Sequence, residues 1–312
     1  MALTSDKRAI LRRLESQLSS SSGLDVVLDR YYEGWQRLEH IGLAVPPELR
    51  RFEMVANWCR TTVDAVSNRQ RMKTFYLPGE DVASEDLREG WDSNNLDSES
   101  KIMQKEKLIL GRGFVSVGSN REDPDHPLIQ IESPHEIAVE VDTVYRRISA
   151  AARFYGGTSW GRAQRATLYL PDQTLWLARG GERDAWVVED QDDHKLGRVP
   201  IVMFLNRRRL GRWNGVSEMA DVIPFVDAAA RALTDLQLAV ETHSVPQKYV
   251  LGMSKGDFVD KDGKPIPAWE AYFNAIWANA NKDAKVGQFM ASDLKNFHST
   301  VDHYAQNVAG LT

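Results

Sequence analysis

Residues 216–243 read VSEMADVIPFVDAAARALTDLQLAVETH, and this stretch decides how the rest of the chain is interpreted. Apolar residues recur every three or four positions along it, from Met219 through Val226 to Val240. That spacing is typical of an amphipathic helix. A helix over the whole stretch would span roughly 42 Å at about 1.5 Å per residue. Pro224 lies near its start, so the sequence predicts a kink or a restart of the helix there.

The other side of this predicted helix is acidic. Its charged residues are Glu218, Asp221, Asp227, Asp235 and Glu241, against Arg231 alone. An acidic face repels DNA instead of gripping it, because DNA binding depends on cations that neutralise phosphates. The alternative interpretation is an ordinary solvated helix face.

A basic segment precedes the helix. Asn206 is followed directly by Arg207, Arg208 and Arg209, and then by Arg212. Arginine clusters bind phosphates or carboxylates, because the planar guanidinium can donate to two oxygens at once. A solvated loop, or a partner for a neighbouring acidic surface, fits the sequence equally well.

Helical patterns dominate the chain up to about residue 110. Apolar residues at helical spacing occupy the first segment, and Ser19–Gly23 predicts a break in it. A longer helix is expected from Pro46 to about Asn68. Two more helices are predicted at about 84–95 and 98–110.

Short strands with alternating apolar residues are predicted from residue 72 onwards. Turn dipeptides such as Gly156-Gly157 and Gly180-Gly181 separate several of them. The predicted strands are 72–77, 114–118, 128–131, 136–141, 146–155, 163–170, 174–179, 185–188 and 199–204. The chain before the basic segment is therefore predicted to be an α+β unit with a largely antiparallel sheet.

A smaller insert, residues 244–291, follows the long helix. Two predicted strands, Lys248–Leu251 and Val286–Met290, flank a short helix rich in large aromatic side chains. These side chains are Trp269, Tyr272, Phe273 and Trp277. So small an insert cannot bury that apolar area alone, so burial against another chain is expected. A last helix is predicted at 292–309, with Ser292 as its N-cap.

Composition excludes several classes of protein. The chain has 312 residues and a net charge of −5, the reverse of the basic excess of a free-standing nucleic-acid binder. Its single cysteine, Cys59, excludes an internal disulfide framework and a multi-cysteine zinc site. Neither a signal peptide nor an apolar span is visible, so we expect a soluble protein made in the cytoplasm.

No catalytic constellation is recognisable in the sequence. Asp260-x-Asp262-Gly263 resembles part of a calcium loop, but the outer ligand positions do not fit, and a hairpin turn is favoured. His135-Glu136 and Asp192-Asp193-His194 offer metal ligands or a general base, but neither has the paired histidines of a metalloprotease helix. The second is better interpreted as a solvated turn. We predict neither enzymatic activity nor a cofactor.

A set of short motifs occurs in a characteristic order. The run Val199–Asn206 precedes the basic segment, and Ile223-Pro-Phe-Val-Asp-Ala with Arg231-x-Leu-x-Asp follows it. Tyr31-Tyr-x-Gly and Gly111-Arg-Gly-Phe-Val-Ser-Val lie upstream. This combination resembles the portal proteins of tailed bacteriophages, and the resemblance covers most of the chain.

The resemblance implies a portal-like α+β fold, with a helix-rich wing containing an antiparallel sheet. Residues 1–210 would be the wing, 216–243 the first stem helix, 244–291 a small α/β clip and 292–309 the second stem helix. Family members continue into a tunnel loop and a crown. This chain ends at Thr312, so both are expected to be absent from it.

The resemblance also implies a function. Portal proteins form a ring, commonly a homododecamer, at one capsid vertex of the virion, and double-stranded DNA is packaged and ejected through it. The implied partners are the major capsid protein, the terminase and the head–tail adaptor, with no membrane, and assembly in the host cytoplasm. Two alternatives remain open at this point: a DNA-processing enzyme of a phage, and a capsid adaptor or scaffold module that forms no ring.

Three groups of residues become candidates under this resemblance. Acidic residues of the first stem helix are expected to face the channel: Glu218, Asp221, Asp235 and Glu241. The arginines are expected at a subunit interface, which we prefer, or near DNA: Arg207, Arg208, Arg209 and Arg212. The aromatic residues of the insert are expected at an interface of the clip: Trp269, Tyr272, Phe273 and Trp277.

Overall fold

A computed structural model gives the structure of most of the chain. It describes residues 3–37, 54–120, 122–157, 162–180, 185–243, 248–251, 285–288 and 294–312. Helices and antiparallel strands make up this part of the chain, so the predicted α+β class is confirmed. No helix within these ranges is long and apolar enough to cross a membrane.

The first helix, α1, runs unbroken over Ser5–Glu33. The predicted break at Ser19–Gly23 is therefore wrong. The serine hydroxyls at positions 19–22 donate to backbone carbonyls three or four residues earlier, so they add bonds within the helix instead of competing with it. Gly34 ends the helix in the left-handed region, at a φ of 74°, and its N–H donates to the Arg30 carbonyl.

Three shorter helices follow: α2 (Trp58–Ser67), α3 (Glu85–Ser93) and α4 (Leu96–Leu110). The last two confirm the helices predicted at 84–95 and 98–110. The longer helix expected from Pro46 is helical only from Trp58 within the described residues, because 54–57 are not helical and 38–53 lie outside them. Asn57 accepts a hydrogen bond from the Arg60 N–H and caps α2.

Two antiparallel sheets follow the helices. The strands of the first sheet, in order β2-β1-β8, are β1 (Arg112–Gly118), β2 (Leu128–Glu132) and β8 (Ile201–Leu205). The second sheet is a five-stranded meander of β3 (Ile137–Asp142), β4 (Arg147–Tyr155), β5 (Arg165–Tyr169), β6 (Thr174–Arg179) and β7 (Trp186–Asp192). The alternating segments predicted from residue 114 onwards are thus confirmed as strands. The one predicted at 72–77 is reduced to an isolated bridge from Tyr76 to Ala83.

Alternation along these strands produces two buried layers. Phe114 and Ile201 on the three-stranded sheet pack with Ile137 and Val139 on the meander. The buried residues Leu11 and Leu14 of α1 belong to a second cluster with the meander residues Leu168, Leu175 and Leu177. This core fixes the position of β8, from which the basic segment begins.

The long helix α5 covers Ile223–His243. The helix predicted over 216–243 therefore starts seven residues later than expected. Residues 217–222 form turns instead, in which the Met219 carbonyl accepts hydrogen bonds from the N–H groups of Val222 and Ile223. Pro224 is the second residue of α5, where its missing N–H has no partner to lose. The predicted kink or restart within a longer helix is not found, because residues 216–222 are not helical and the helix first begins beside Pro224.

The last described elements are β9 (Lys248–Leu251), β10 (Lys285–Gln288) and α6 (Lys295–Leu311). The two strands pair antiparallel, with Lys285 opposite Leu251. The final helix extends to Leu311, beyond the predicted end at residue 309. The proposed N-cap Ser292 and the aromatic helix of the insert lie outside the described residues.

The chain divides into two compact units. One comprises residues 1–36, 57–224 and 310–312, and contains both large sheets with α1 to α4. The other comprises residues 37–56 and 225–309. In the second unit the rings of Phe225 on α5 and Tyr304 on α6 lie 6.4 Å apart. The assignment of wing, stem and clip remains a prediction.

Candidate functional site

The basic segment is closed into a loop by a tight backbone crossing. The Asn206 N–H donates to the Gly111 carbonyl at 2.8 Å, and the Val216 N–H donates to the Asn206 carbonyl at 3.1 Å. A side chain at Gly215 would overlap the carbonyl oxygen of Gly111, so only glycine fits. Gly111 itself ends α4 with a φ of 81°. Residues 207–214 therefore form a loop, and these backbone contacts hold its two ends together.

Arg207 is bound within the chain. Its Nε and Nη2 donate to the two carboxylate oxygens of Glu218 at 3.1 Å and 3.0 Å, and its Nη1 donates to Asp221. These hydrogen bonds, first to Asp221 and then to Glu218, raise the pKa of Arg207. Asn206 Nδ2 also donates to Glu218 at 2.9 Å. One guanidinium thus joins the start of the loop to the turns that lead into α5.

The other three arginines are placed differently. The Arg208 guanidinium lies over the Trp213 ring, 4.8 Å from its centroid. The Arg209 carbonyl accepts from the Arg212 N–H at 3.2 Å, which closes a turn, and both side chains are exposed. Neither of these two side chains has a hydrogen bond or ion pair within the part of the chain that the structure describes. Arg207 is thus paired within its own chain, and the preferred intersubunit pairing of the arginine group stays a prediction.

The four acidic candidates separate into two pairs. Glu218 and Asp221 precede α5 and face Arg207, because the helix starts later than predicted. Asp235 and Glu241 are exposed on α5 itself, and Gln237 Nε2 donates to Glu241 at 3.2 Å. Six helical residues correspond to about 600°, so these two carboxylates point about 120° apart. Only the second pair still fits the expectation of acidic groups along a helix.

The buried stripe of α5 agrees with the predicted apolar face only in the first part of the helix. Val226, Ala229 and Ala230 are buried, whereas Val240, predicted on the same face, is 43% exposed. Thr234 is also buried, and its hydroxyl donates to the Ala230 carbonyl and accepts from the Met54 N–H at 3.0 Å. Met219 and Val222, predicted on the same stripe, are buried in the turns before the helix.

The aromatic candidates of the insert lie outside the described residues: Trp269, Tyr272, Phe273 and Trp277. The isolated motifs considered as metal or acid–base groups have structural partners where they are described. His135 Nε2 lies 2.9 Å from Asp29 Oδ2, and the hydrogen bond that this carboxylate accepts from the imidazole raises the pKa of His135. Glu136 pairs with Arg153 at 3.0 Å. No group of three or more histidine, cysteine or acidic side chains suitable for a metal occurs among the residues with described positions.

Sequence reasoning missed two buried ion pairs. Arg112 on β1 donates to both carboxylate oxygens of Asp25 on α1, at 3.0 Å and 2.6 Å, and the Asp25 side chain is only 1% exposed. Glu132 on β2 accepts from Ser116 at 2.7 Å and lies 3.0 Å from Arg153 on β4. Burial raises the pKa of Glu132. No local pattern indicated these pairs, because the partners come from distant parts of the chain.

Comparison with known proteins gives the family. The sequence profile of the SPP1 Gp6-like phage portal proteins matches residues 27–311. The portal protein of Mycobacterium phage D29 is 33% identical over 292 residues, covering 90% of this chain and 59% of the relative. The portal protein of Mycobacterium phage L5 is 33% identical over 294 residues, with the same two shares. The chain thus spans about three-fifths of the length of these relatives.

The solved structures that match this chain are less similar to it than these two relatives are. A chain from the virion of a native gene transfer agent particle is 13% identical with a TM-score of 0.43, covering 92% of this chain and 67% of the other. A chain from the neck of an empty gene transfer agent particle, computed with C6 symmetry, is 12% identical with a TM-score of 0.45, covering 91% and 67%. Both TM-scores are below 0.5, so the assignment rests on the sequence matches, which confirm the resemblance drawn from the motifs. The chain belongs to the SPP1 Gp6-like family of phage portal proteins.

Proposed function

We propose that this chain contributes the wing, stem and clip of a ring, most simply a homododecamer, that forms the DNA passage at one capsid vertex. The observation that carries the proposal is the family match over residues 27–311. The role is structural, not catalytic. The proposed partners are double-stranded DNA, the major capsid protein, the terminase and the head–tail adaptor, with assembly in the host cytoplasm.

The stem assignment is supported by the two long helices. α5 and α6 have 21 and 17 residues and flank the insert at 244–291, as two stem helices around a clip would. α5 buries one stripe and exposes Arg231, Asp235 and Glu241 elsewhere. A helix with one buried and one charged side can pack on protein and still border an aqueous channel.

The carboxylates that we propose for the channel wall are Asp235 and Glu241. Repulsion between these groups and DNA phosphates would keep the duplex centred and mobile, and it acts over about 8 Å at physiological salt. Glu218 and Asp221 contribute less, because Arg207 compensates part of their charge. Arg209 and Arg212 remain available for a neighbouring subunit or for DNA.

Ring formation is tested by negative-stain electron microscopy and mass measurement of the purified chain. We expect annular particles with a central hole. A population that stays monomeric at every concentration would count against a ring and favour the adaptor alternative. Replacing Trp269 or Trp277 with alanine should weaken the ring if the aromatic residues of the clip are buried between subunits.

The channel assignment needs a separate test in packaging. We expect the double variant Asp235→Lys, Glu241→Lys to form rings but to fill capsids with DNA more slowly than the parent. The matched control reverses two exposed carboxylates of the other unit, Glu80→Lys and Glu122→Lys, so that the change in net charge is the same. Packaging at the parental rate by the double variant would mean that these carboxylates face away from DNA.

A further inference from the structure

A large groove lies between α4 and the outer face of the three-stranded sheet. Its volume is about 910 Å³. The floor is apolar and is formed by Val115, Ile129 and Ile131 of the sheet, with Phe204 of the edge strand β8. Phe204 is 38% exposed, which is unusual for a phenylalanine of a sheet that is part of the core. The groove belongs entirely to the first compact unit and is separate from the basic loop and the stem helices.

Cations surround this floor. Arg69 and Arg71 line the groove from the segment after α2, and Lys101 and Lys107 line it from α4. Arg69 and Arg71 make no side-chain hydrogen bond or ion pair with any residue whose position is described. Burial lowers the pKa of Lys107, so an added carboxylate near its amine would stabilise the charged form.

The acidic side chain in the lining, that of Asp97, already accepts hydrogen bonds from neighbouring residues. Asp97 accepts from the Trp91 Nε1 at 2.8 Å and from Arg88 at 3.2 Å. It is therefore not a dedicated partner for the four cations. The groove carries a surplus of positive charge in a chain whose net charge is −5.

Two buried amide oxygens complete the lining. Gln70 Oε1 and Gln104 Oε1 are both buried, without a hydrogen-bond partner among the described residues, and are closed to an occupant of the groove. The groove thus favours two kinds of group together: carboxylates and apolar side chains.

We propose that this groove binds an acidic, partly apolar peptide segment of another protein. Carboxylates of the segment pair with the cations, and its apolar side chains cover the floor. A nucleic-acid backbone supplies negative charge, but it brings no apolar side chains and would leave the apolar floor unmatched. The proposal does not depend on ring formation.

The test uses the full chain and three fluorescein-labelled probes. The probes are a short peptide of alternating leucine and glutamate, a glutamate-only peptide of equal charge, and a DNA duplex. Anisotropy titration is compared between the parent, the rim variant Arg71→Glu, Lys101→Glu and the floor variant Phe204→Ser. The charge-matched control is Arg12→Glu, Arg146→Glu, at exposed positions that do not line the groove. Circular dichroism and thermal melting establish that each variant is folded.

We expect the leucine–glutamate peptide to bind the parent and the control equally. The rim variant should bind it about tenfold more weakly, because each exposed ion pair contributes a factor of a few. The floor variant should lose affinity for this peptide and not for the glutamate-only peptide. Absence of peptide binding, equal binding of the two peptides to the parent, or tighter DNA binding that is lost in the rim variant would each overturn the proposal.

Discussion

Arg207 offers the sharpest test of how the start of α5 is held. The change is Arg207→Ala, which removes both ion pairs to the turns before the helix. The Arg207 side chain is 36% exposed, and Glu218 and Asp221 are 17% and 60% exposed, so water screens both pairs. Pairs of this kind contribute about 0.5–1 kcal/mol each, so we expect a loss of about 1–2 kcal/mol in the free energy of unfolding. For a unit of this size that corresponds to a fall in Tm of about 2–8 °C.

The measurement is thermal unfolding at low and at high salt. Because the lost interaction is between charges, the difference between parent and variant should shrink in about 1 M salt, where the Debye length is about 3 Å. Arg207 has a φ of 48°, but alanine and arginine both carry a β-carbon, so the substitution leaves the backbone strain unchanged. The comparison therefore isolates the guanidinium.

The matched control is Arg209→Ala in the same loop, which removes an exposed cation and should change stability by less than about 0.5 kcal/mol. A second variant, Arg207→Lys, keeps the charge but not the fork and should recover part of the loss. If Arg207→Ala were no less stable than Arg209→Ala at low salt, the ion pairs would not hold this turn, and the reasoning would be refuted.

Further predictions concern other positions in the first unit. Arg112→Met should cost about 3–5 kcal/mol in urea unfolding, because it leaves the buried carboxylate of Asp25 unpaired, and adding Asp25→Leu should recover most of that loss. The raised pKa of His135 means that its protonated form stabilises the fold. This contribution is fully present below the unfolded pKa of about 6.5 and is lost as pH rises through the folded value, so the stability gap between parent and His135→Asn should close from pH 6 to pH 8. Gly215→Ala should abolish soluble folded protein or lower its Tm sharply, because the new methyl group overlaps backbone, whereas Gly118→Ala, with open space around it, should melt close to the parent.

The strands were predictable because their signal is local. Alternation of apolar residues and turn dipeptides between them depend only on neighbouring positions, and the meander keeps successive strands adjacent. The errors arose where a side chain can either interrupt a helix or hydrogen-bond within it. Serines at 19–22 were expected to break α1, but their hydroxyls bond back to the helix, and the buried Leu14 and Leu28 on either side hold it together.

The candidate site was predictable only in composition. The arginine loop and the acidic residues after it were visible in sequence, but their pairing depends on the crossing of Gly111 and Gly215, which lie about 100 residues apart. The peptide groove is assembled from the segment after α2 and from α3, α4, β1, β2 and β8, and no window of sequence contains more than a fraction of it. In the sequence, Arg69, Arg71 and Lys101 look like ordinary surface charges. Only the folded structure shows that they lie beside an apolar floor.

Acidic and basic groups lie on different surfaces of the chain, and the net charge does not reveal this separation. Within the first unit one arginine compensates the acidic turns before α5, so the carboxylates that we propose to act on DNA are those further along the helix. Exposed cations without a described ion pair include Arg209 and Arg212 in the loop and Arg69 and Arg71 beside the groove. Under the proposed assignments, a chain with a net charge of −5 repels DNA along its stem and still presents basic surfaces to acidic proteins. Averaging charge over the whole sequence would have predicted only the repulsion, because opposite local fields cancel in the sum.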